Sequence, residues 1–381
     1  MDFALSPALL QARDRARAAA EELLAPAART ADAEARFDRG LVQELGRRGL
    51  LDERDPALAR CLIAEELGRV DSSVRGLATV QVALVAGCLA EWGSPAQRAR
   101  WLPWLRSGEA IGCYALTEPE AGSDVRSLQT RAMRVPGGWR LEGEKHWITN
   151  GGVAEVALVF ASAEEGVTAF VVPTDAPGLE RRPMPGEPLG HRAADHAVLT
   201  LRGLELGEDA VLGRPGGGLQ VAMSALRRGR LEVAAGAVGV LQACLDASVD
   251  FARRRRQFGR RIGDFQMVQA ALADMAADLA AARLLVREAA WLEDAGRGSL
   301  DRVAVAKLFC TEAALRAADQ AILIHGGRGY SNLYPVERYW RDAKGMQIYE
   351  GTAHVQRLII ARALLGRDEG ASAAVRPPGP G

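Results

Sequence analysis

The chain has 381 residues, 48% of them hydrophobic, and balances 48 Lys and Arg against 48 Asp and Glu. That is enough apolar material for a large core in roughly two or three domains, and zero net charge removes the electrostatic basis for a nucleic-acid or membrane-surface partner. Five cysteines without a CxxC pair and five dispersed histidines without HExxH argue for a reducing compartment and against a disulfide frame or a metal site.

Met1 to Pro7 has neither a basic segment nor a long apolar stretch, and no window offers the roughly 18 uncharged apolar residues of a membrane helix. The expectation is a soluble cytoplasmic protein. Ser6-Pro7 then reads as an N-cap with Pro at the first helical position, opening a helix that runs to Leu24 and stops at Pro26. Further helices are expected over 41–50, 56–70 and 73–92, followed by an apolar knot at Trp101-Leu102-Pro103-Trp104-Leu105.

Near Ile111 the pattern changes. Short β-branched runs at 155–160, 167–172 and 197–201 alternate with Gly-Gly and Pro-Gly pairs, which predicts a small antiparallel barrel or sandwich. From Gly217 the helical period returns, with Val268, Leu272, Met275, Leu279, Ala282 and Val286 in one stripe. Long helices are expected over 218–255, 264–295, 299–326 and 352–365, with Ala234-Ala235-Gly236-Ala237 suited to close helix approach. The fold class is mainly α with a central β domain: an N-terminal helical domain (1–110), a middle β domain (111–216), a C-terminal four-helix bundle (217–366) and a disordered tail (367–381).

Five stretches carry candidate chemistry. Tyr114 to Asp124 reads as a strand ending in a turn, or as a loop whose hydroxyls and backbone N–H groups meet a polar cofactor. Lys145 to Gly152 sets Trp147 and Thr149 before a double glycine; the indole is a core residue or the wall of a planar ring. Arg254 to Arg260 is a basic run broken by Phe258-Gly259, either a solvated face or a phosphate grip. Ile324 to Tyr330 is glycine-rich and allows close backbone approach, but follows no strand and does not fit GxGxxG. Tyr349-Glu350-Gly351-Thr352 places a carboxylate where a segment turns into a helix. Glu350 is there a base, if its surroundings are dry, or a plain helix N-terminal acid.

Together, TEPEAGSD (117–124), WITNGG (147–152), RRQFG (255–259), Gln266, HGGRGY (325–330), YPVER (334–338), RDAK (341–344) and YEGT (349–352) resemble the acyl-CoA dehydrogenase family over about residues 5 to 366. The resemblance implies FAD held non-covalently between the β domain and the C-terminal helices, in a homotetramer or homodimer, with a flavoprotein as electron acceptor. It implies that Glu350 removes the α-proton of an acyl thioester while the β-hydride goes to flavin N5. Tyr114, Leu116, Thr117, Gly122, Ser123, Trp147, Thr149, Thr352 and His354 would line the flavin. Arg255, Phe258, Gln266, Gly326 and Gly327 would hold its pyrophosphate and adenine end on a neighbouring subunit. Arg75, Ser123, Arg230, Tyr349, Gly351 and Arg362 would meet substrate.

Several positions depart from the family pattern. The 50–56 loop is short, Glu120 replaces a small residue, and His354 and Leu323 stand where Gln is common. The stretch Ser73 to Gln81 resembles the glutaryl-CoA dehydrogenase subgroup, in which the arginine matching Arg75 meets a distal carboxylate; otherwise Arg75 is a surface residue or the partner of Glu65 or Glu66. Leu189 to Ala197 is similar to dehydrogenases that act on acyl carrier protein (acyl-ACP) thioesters in making polyketide extender units. The implied activity is α,β-dehydrogenation of a short, polar acyl-CoA or acyl-ACP. The alternatives are an oxygen-using flavin oxidase or monooxygenase on the same fold, a glutaryl-like dehydrogenase, and a non-enzymatic scaffold.

Overall fold

The N-terminal third of the computed structural model, which describes residues 4–366, is helical. It comprises α1 (Pro7–Ala19), α2 (Ala28–Glu34), α3 (Arg39–Arg47), α4 (Ala57–Val70), α5 (Ser72–Thr79), α6 (Gly87–Trp92) and α7 (Pro95–Ser107). Ser6 caps α1 by accepting from the N–H of Leu9 at 3.4 Å, and Pro7 stands first in the helix as expected. Single π-helical stretches extend α1 (Ala20–Leu24) and join α5 to α6 (Val80–Ala86). Trp101 to Leu105 is not a separate knot. It forms the later turns of α7, which is started by a capping box between Ser94 and Gln97 and runs through Pro103.

The middle region holds β1 (Gly112–Ala115), β2 (Arg131–Val135), β3 (Gly138–Thr149), β4 (Val156–Ala163), β5 (Gly166–Pro173), β6 (Leu179–Pro183), β7 (His196–Gly207) and β8 (Val211–Leu212). They form one sheet in the order β6-β7-β3-β2-β4-β5-β8, with β1 on β4. The sheet is mixed where a purely antiparallel one was expected. β1 runs parallel to β4 from Gly112 to Ala115, and β2 meets β4 parallel at Arg131 and Ser162. Parallel neighbours need a crossover rather than a tight turn, and alternation within each strand carries no trace of that pairing.

The C-terminal part contains α8 (Gly218–Arg254), β9 (Arg256–Gln257), β10 (Arg260–Arg261), α9 (Gln266–Asp294), α10 (Leu300–His325), α11 (Val336–Met346) and α12 (Ala353–Leu364). Met275, Leu279, Ala282 and Val286 of α9 pack with Val233 to Leu241 of α8 and with Cys310 to Ala321 of α10. The small residues of α8 do allow close approach: a Cβ on Gly239 would lie 2.1 Å from the Glu65 carbonyl of α4. The helical stretches 72–92 and 218–254 are long and apolar enough to cross a membrane, with mean hydropathy of 1.5 and 1.3. Their apolar windows are 83% and 72% buried inside the protein, as core helices are. All five cysteines are buried and unpaired. The tail expectation, 367–381, lies outside the described residues.

Candidate active site

After α11 the chain turns sharply. Glu350 and Gly351 have φ of +55° and +96°, and Thr352 then caps α12 by accepting from the N–H of Val355 at 3.3 Å. Glu350 therefore precedes the cap and is not a first-turn helix acid. A left-handed non-glycine residue costs on the order of 1–3 kcal/mol and persists only when its surroundings over-determine it. Here buried side chains hold three successive carbonyls. Lys307 Nζ donates to the carbonyls of Tyr349 and Gly351, each at 2.6 Å. Arg230 Nε donates to that of Glu350 at 2.9 Å, and Gln356 Nε2 to that of Gly351 at 2.8 Å. Among the described residues the Glu350 N–H has no acceptor.

The Glu350 carboxyl lies against α8. Among the described residues its Oε2 atom is buried without a hydrogen-bond partner, and a Cβ on Gly229 would come within 2.0 Å of it. Burial raises the carboxyl from 4.5 to about 7, against the lowering pull of Lys307, Arg75 and Arg230. Burial likewise pushes the Lys307 ammonium down.

Arg75 is only 1% exposed, so it is not a surface arginine. It is not the partner of the two glutamates either, because Glu65 pairs with Arg283 and Glu66 with Arg17 and Arg69. Its guanidinium donates to the Tyr349 phenol, while its Nε is buried without a partner among the described residues. Among the described residues no carboxylate lies within ion-pair distance of Arg75, although Glu232 (bonded to Arg60 at 3.1 Å) lines the same small cavity. The phenol also sits 3.4 Å from His191 Nε2. Burial pushes His191 down to about 3 and Tyr349 up to about 12, so both stay neutral near pH 7. Asp342 of α11 anchors His191 by accepting its N–H at 2.7 Å.

A second group of predicted residues forms an exposed ledge beside the sheet. Tyr114 on β1 rests on Phe160, with ring centroids 4.9 Å apart, and Leu116 is buried below. The loop after β1 is tied down by its buried Glu118, which accepts from Lys145 Nζ at 2.6 Å and from the Thr130 N–H at 3.1 Å. The Thr117 carbonyl accepts from the His146 N–H at 2.9 Å, which sets this loop beside Trp147. Gly122 and Ser123 are exposed, with open space above Gly122. Trp147 is turned outward by a register shift in the β3–β7 pairing and a φ of +56°, and is 57% exposed. It is therefore no core tryptophan. Thr149 Oγ1 lies 3.2 Å from His196 Nδ1.

The remaining predicted residues lie elsewhere. Arg255 and Gln266 lie on either side of the β9–β10 hairpin and Phe258 in its turn, where Phe258 and Gly259 both have positive φ; Phe258 is 93% exposed. The 24 helical steps of α8 from Arg230 to Arg254 put this hairpin roughly 36 Å along the helix from the Glu350 site at 1.5 Å per residue. Gly326 and Gly327 are exposed at the end of α10, while His354 and Arg362 are exposed on α12. The structure thus joins Arg75, Arg230, Tyr349, Glu350 and Gly351 in one site and does not bring the hairpin to it.

Sequence reasoning missed Lys307, Gly229 and the His191–Asp342 anchor. A signal existed for Lys307, which interrupts the buried stripe Val303, Ala306, Cys310, Ala314 and Ala317 at helical spacing. Such a lysine must find acceptors inside the protein.

An exposed indole face, open backbone at Gly122 and the hydroxyls of Ser123 and Thr149 suit a flat, polar cofactor such as FAD. The orphaned Glu350 Oε2 suits a base facing substrate. Family models named acyl-CoA dehydrogenase N-terminal, middle and C-terminal domain match residues 6–109, 113–204 and 216–365. The chain is 38% identical to a probable acyl-CoA dehydrogenase of Bacillus subtilis (strain 168), covering 96% of this chain and 100% of that one. It is 39% identical to the human mitochondrial short-chain specific acyl-CoA dehydrogenase, covering 91% and 87%. A glutaryl-CoA dehydrogenase from Mycobacterium smegmatis in complex with FADH2 superposes with a TM-score of 0.92 at 29% identity, covering 95% of each chain. The prolyl acyl carrier protein oxidase AnaB does so at 0.90 and 30% identity, covering 95% and 100%. The chain belongs to the acyl-CoA dehydrogenase family, FAD-dependent oxidoreductases that act on the CH–CH bond of acyl-CoA.

Proposed function

We propose that this protein dehydrogenates a short acyl thioester whose far end is anionic or oxygenated, with Glu350 as the base for the α-proton. One observation supports the reading above others. Among the described residues, a buried carboxyl with no partner on Oε2 and a buried guanidinium with no carboxylate in ion-pair distance share one site. A desolvated carboxylate is a stronger base than one in water. With three neighbouring carbonyls tied back, the Glu350 N–H is left to donate to the thioester oxygen, where negative charge develops as the proton leaves. Arg75 and the neutral Tyr349 phenol then receive the far end of the acyl group.

FAD, when bound, would supply the acceptor for the hydride that leaves the β-carbon. Trp147, Thr149, Thr117, Gly122 and Ser123 would hold its flavin end. Phe258, Arg255 and Gln266, too far along α8 to serve the same site, would hold the cofactor of a second copy in a homodimer or homotetramer. A separate flavoprotein would take the electrons. The likeness at Leu189 to Ala197 supports a carrier-protein thioester as well as a CoA thioester.

Anaerobic mixing with glutaryl-CoA, butyryl-CoA and the same acyl groups on a carrier protein tests the reading. Bleaching of the flavin absorbance by the glutaryl thioester well ahead of the butyryl one is expected. Colourless protein that cannot be reconstituted with FAD would contradict the reading, and faster bleaching by butyryl thioesters would remove the polar far end from it.

A further inference from the structure

We infer that Lys307 is a positioning residue for the reaction, its ammonium holding the peptide groups on both sides of Glu350 so that the carboxyl faces substrate. The inference rests on the reading of Glu350 as the base. The geometry is specific. Lys307 is 1% exposed toward the start of α10, and its Nζ donates to the carbonyls of residues 349 and 351 at 2.6 Å each. Between those two bonds stands Glu350, in a backbone region that a glutamate occupies only when it is held there. Losing the bond to Tyr349 would free the peptide before Glu350, while the Gly351 carbonyl would keep only its bond from Gln356. Removing both would let Glu350 relax toward negative φ and swing its carboxyl away from Gly229.

A buried ammonium is expensive unless paired, yet among the described residues Lys307 has no carboxylate within ion-pair distance. The nearest counter-charge acting on it is the ionised carboxylate of Glu350, beyond ion-pair distance. The charged and titratable groups facing Glu350 are Arg75 from α5, Arg230 and Glu232 from α8, Lys307 from α10 and Tyr114 from β1, with Tyr349 beside it in the chain. Of these, only Lys307 grips the backbone on both sides of the base. Lys307 thus couples two tasks, fixing the direction of the carboxyl and easing its ionisation.

The test compares Lys307→Met, Lys307→Gln and Lys307→Arg with Glu350→Gln, all as flavin-loaded proteins. The first readout needs no turnover: the infrared stretch of the protonated Glu350 carboxyl, assigned by its absence in Glu350→Gln and followed against pH. Loss of a neighbouring positive charge raises a carboxyl pKa, so the neutral variants are expected to move this titration up by roughly one unit or more. Lys307→Arg, which keeps the charge, is expected to leave it near the wild-type position. In turnover of glutaryl-CoA and butyryl-CoA, Lys307→Met is expected to lose about 100-fold in kcat with KM within about threefold, since a misplacement near 1 Å is enough for such a loss. Lys307→Arg is expected to recover most of it.

A folded, yellow Lys307→Met or Lys307→Gln protein with the wild-type titration and kcat overturns the proposal. So does a Lys307→Arg protein that folds but rescues neither readout, or failure of all three variants to give a flavoprotein, which would make the lysine merely structural. An active Glu350→Gln enzyme would instead end the base reading, whatever the Lys307 variants do.

Discussion

The surroundings of Glu350 and the ledge around Trp147 belong to one chain but are built on opposite rules. Around Glu350, Arg75, Arg230 and Lys307 are buried, the backbone is strained, and the hydrogen bonds run from α5, α8 and α10 into a single turn. At the ledge, and at the distant hairpin, Trp147, Phe258, Gly122 and Ser123 face outward, and the ledge loop is tied down from below through Glu118. The contrast separates two tasks. Shifting the pKa of a base needs low dielectric and fixed charges, which one chain supplies from its own core. Binding a long cofactor needs broad, pre-shaped surface, which can be shared between copies.

Four substitutions probe that division, from the largest effect to the smallest. Glu350→Gln should lower turnover by about 10²- to 10⁴-fold, the span of a lost general base, while the purified protein stays yellow; loss of flavin instead would merge the two regions. Gly229→Ala sets a methyl where Oε2 now lies, 2.0 Å away. Steady-state kinetics should show a fall of about 100-fold in kcat with flavin content unchanged. Arg75→Met should reduce kcat/KM for glutaryl-CoA by about 50-fold, the scale of one charge-assisted hydrogen-bonded pair, and for butyryl-CoA by only about threefold. Equal losses on both would mean that Arg75 serves Tyr349 and not the substrate. Phe258→Asp should weaken FAD retention by about tenfold in dialysis, at a cost of roughly 1.4 kcal/mol, yet leave kcat at saturating FAD nearly unchanged.

Much of this layout was legible in the sequence. Apolar periodicity located α8, α9 and α10 nearly to their ends, because a buried stripe at 3.6-residue spacing admits no other structure. Local motifs marked Glu350, Trp147 and Phe258. The parallel pairing of β1 with β4 was not legible, since it depends on a crossover rather than on residues within either strand. Nor was the partnership of Lys307 with residues 349 and 351, 42 and 44 positions away, although its place in an apolar stripe signalled burial. Arg75 stood open between a surface position and a pocket until the fold paired Glu65 and Glu66 with other arginines.

The central claim is that a desolvated Glu350 takes the proton, and the pH dependence of anaerobic flavin bleaching by glutaryl-CoA tests it most directly. A base works when deprotonated, and burial has raised this one to about 7, so activity is lost as pH falls through that value. The rate is expected to climb about tenfold per pH unit on the acid side and to level off above neutrality. A rate already flat from about pH 5 upward, as an ordinary solvated carboxylate would give, would contradict it.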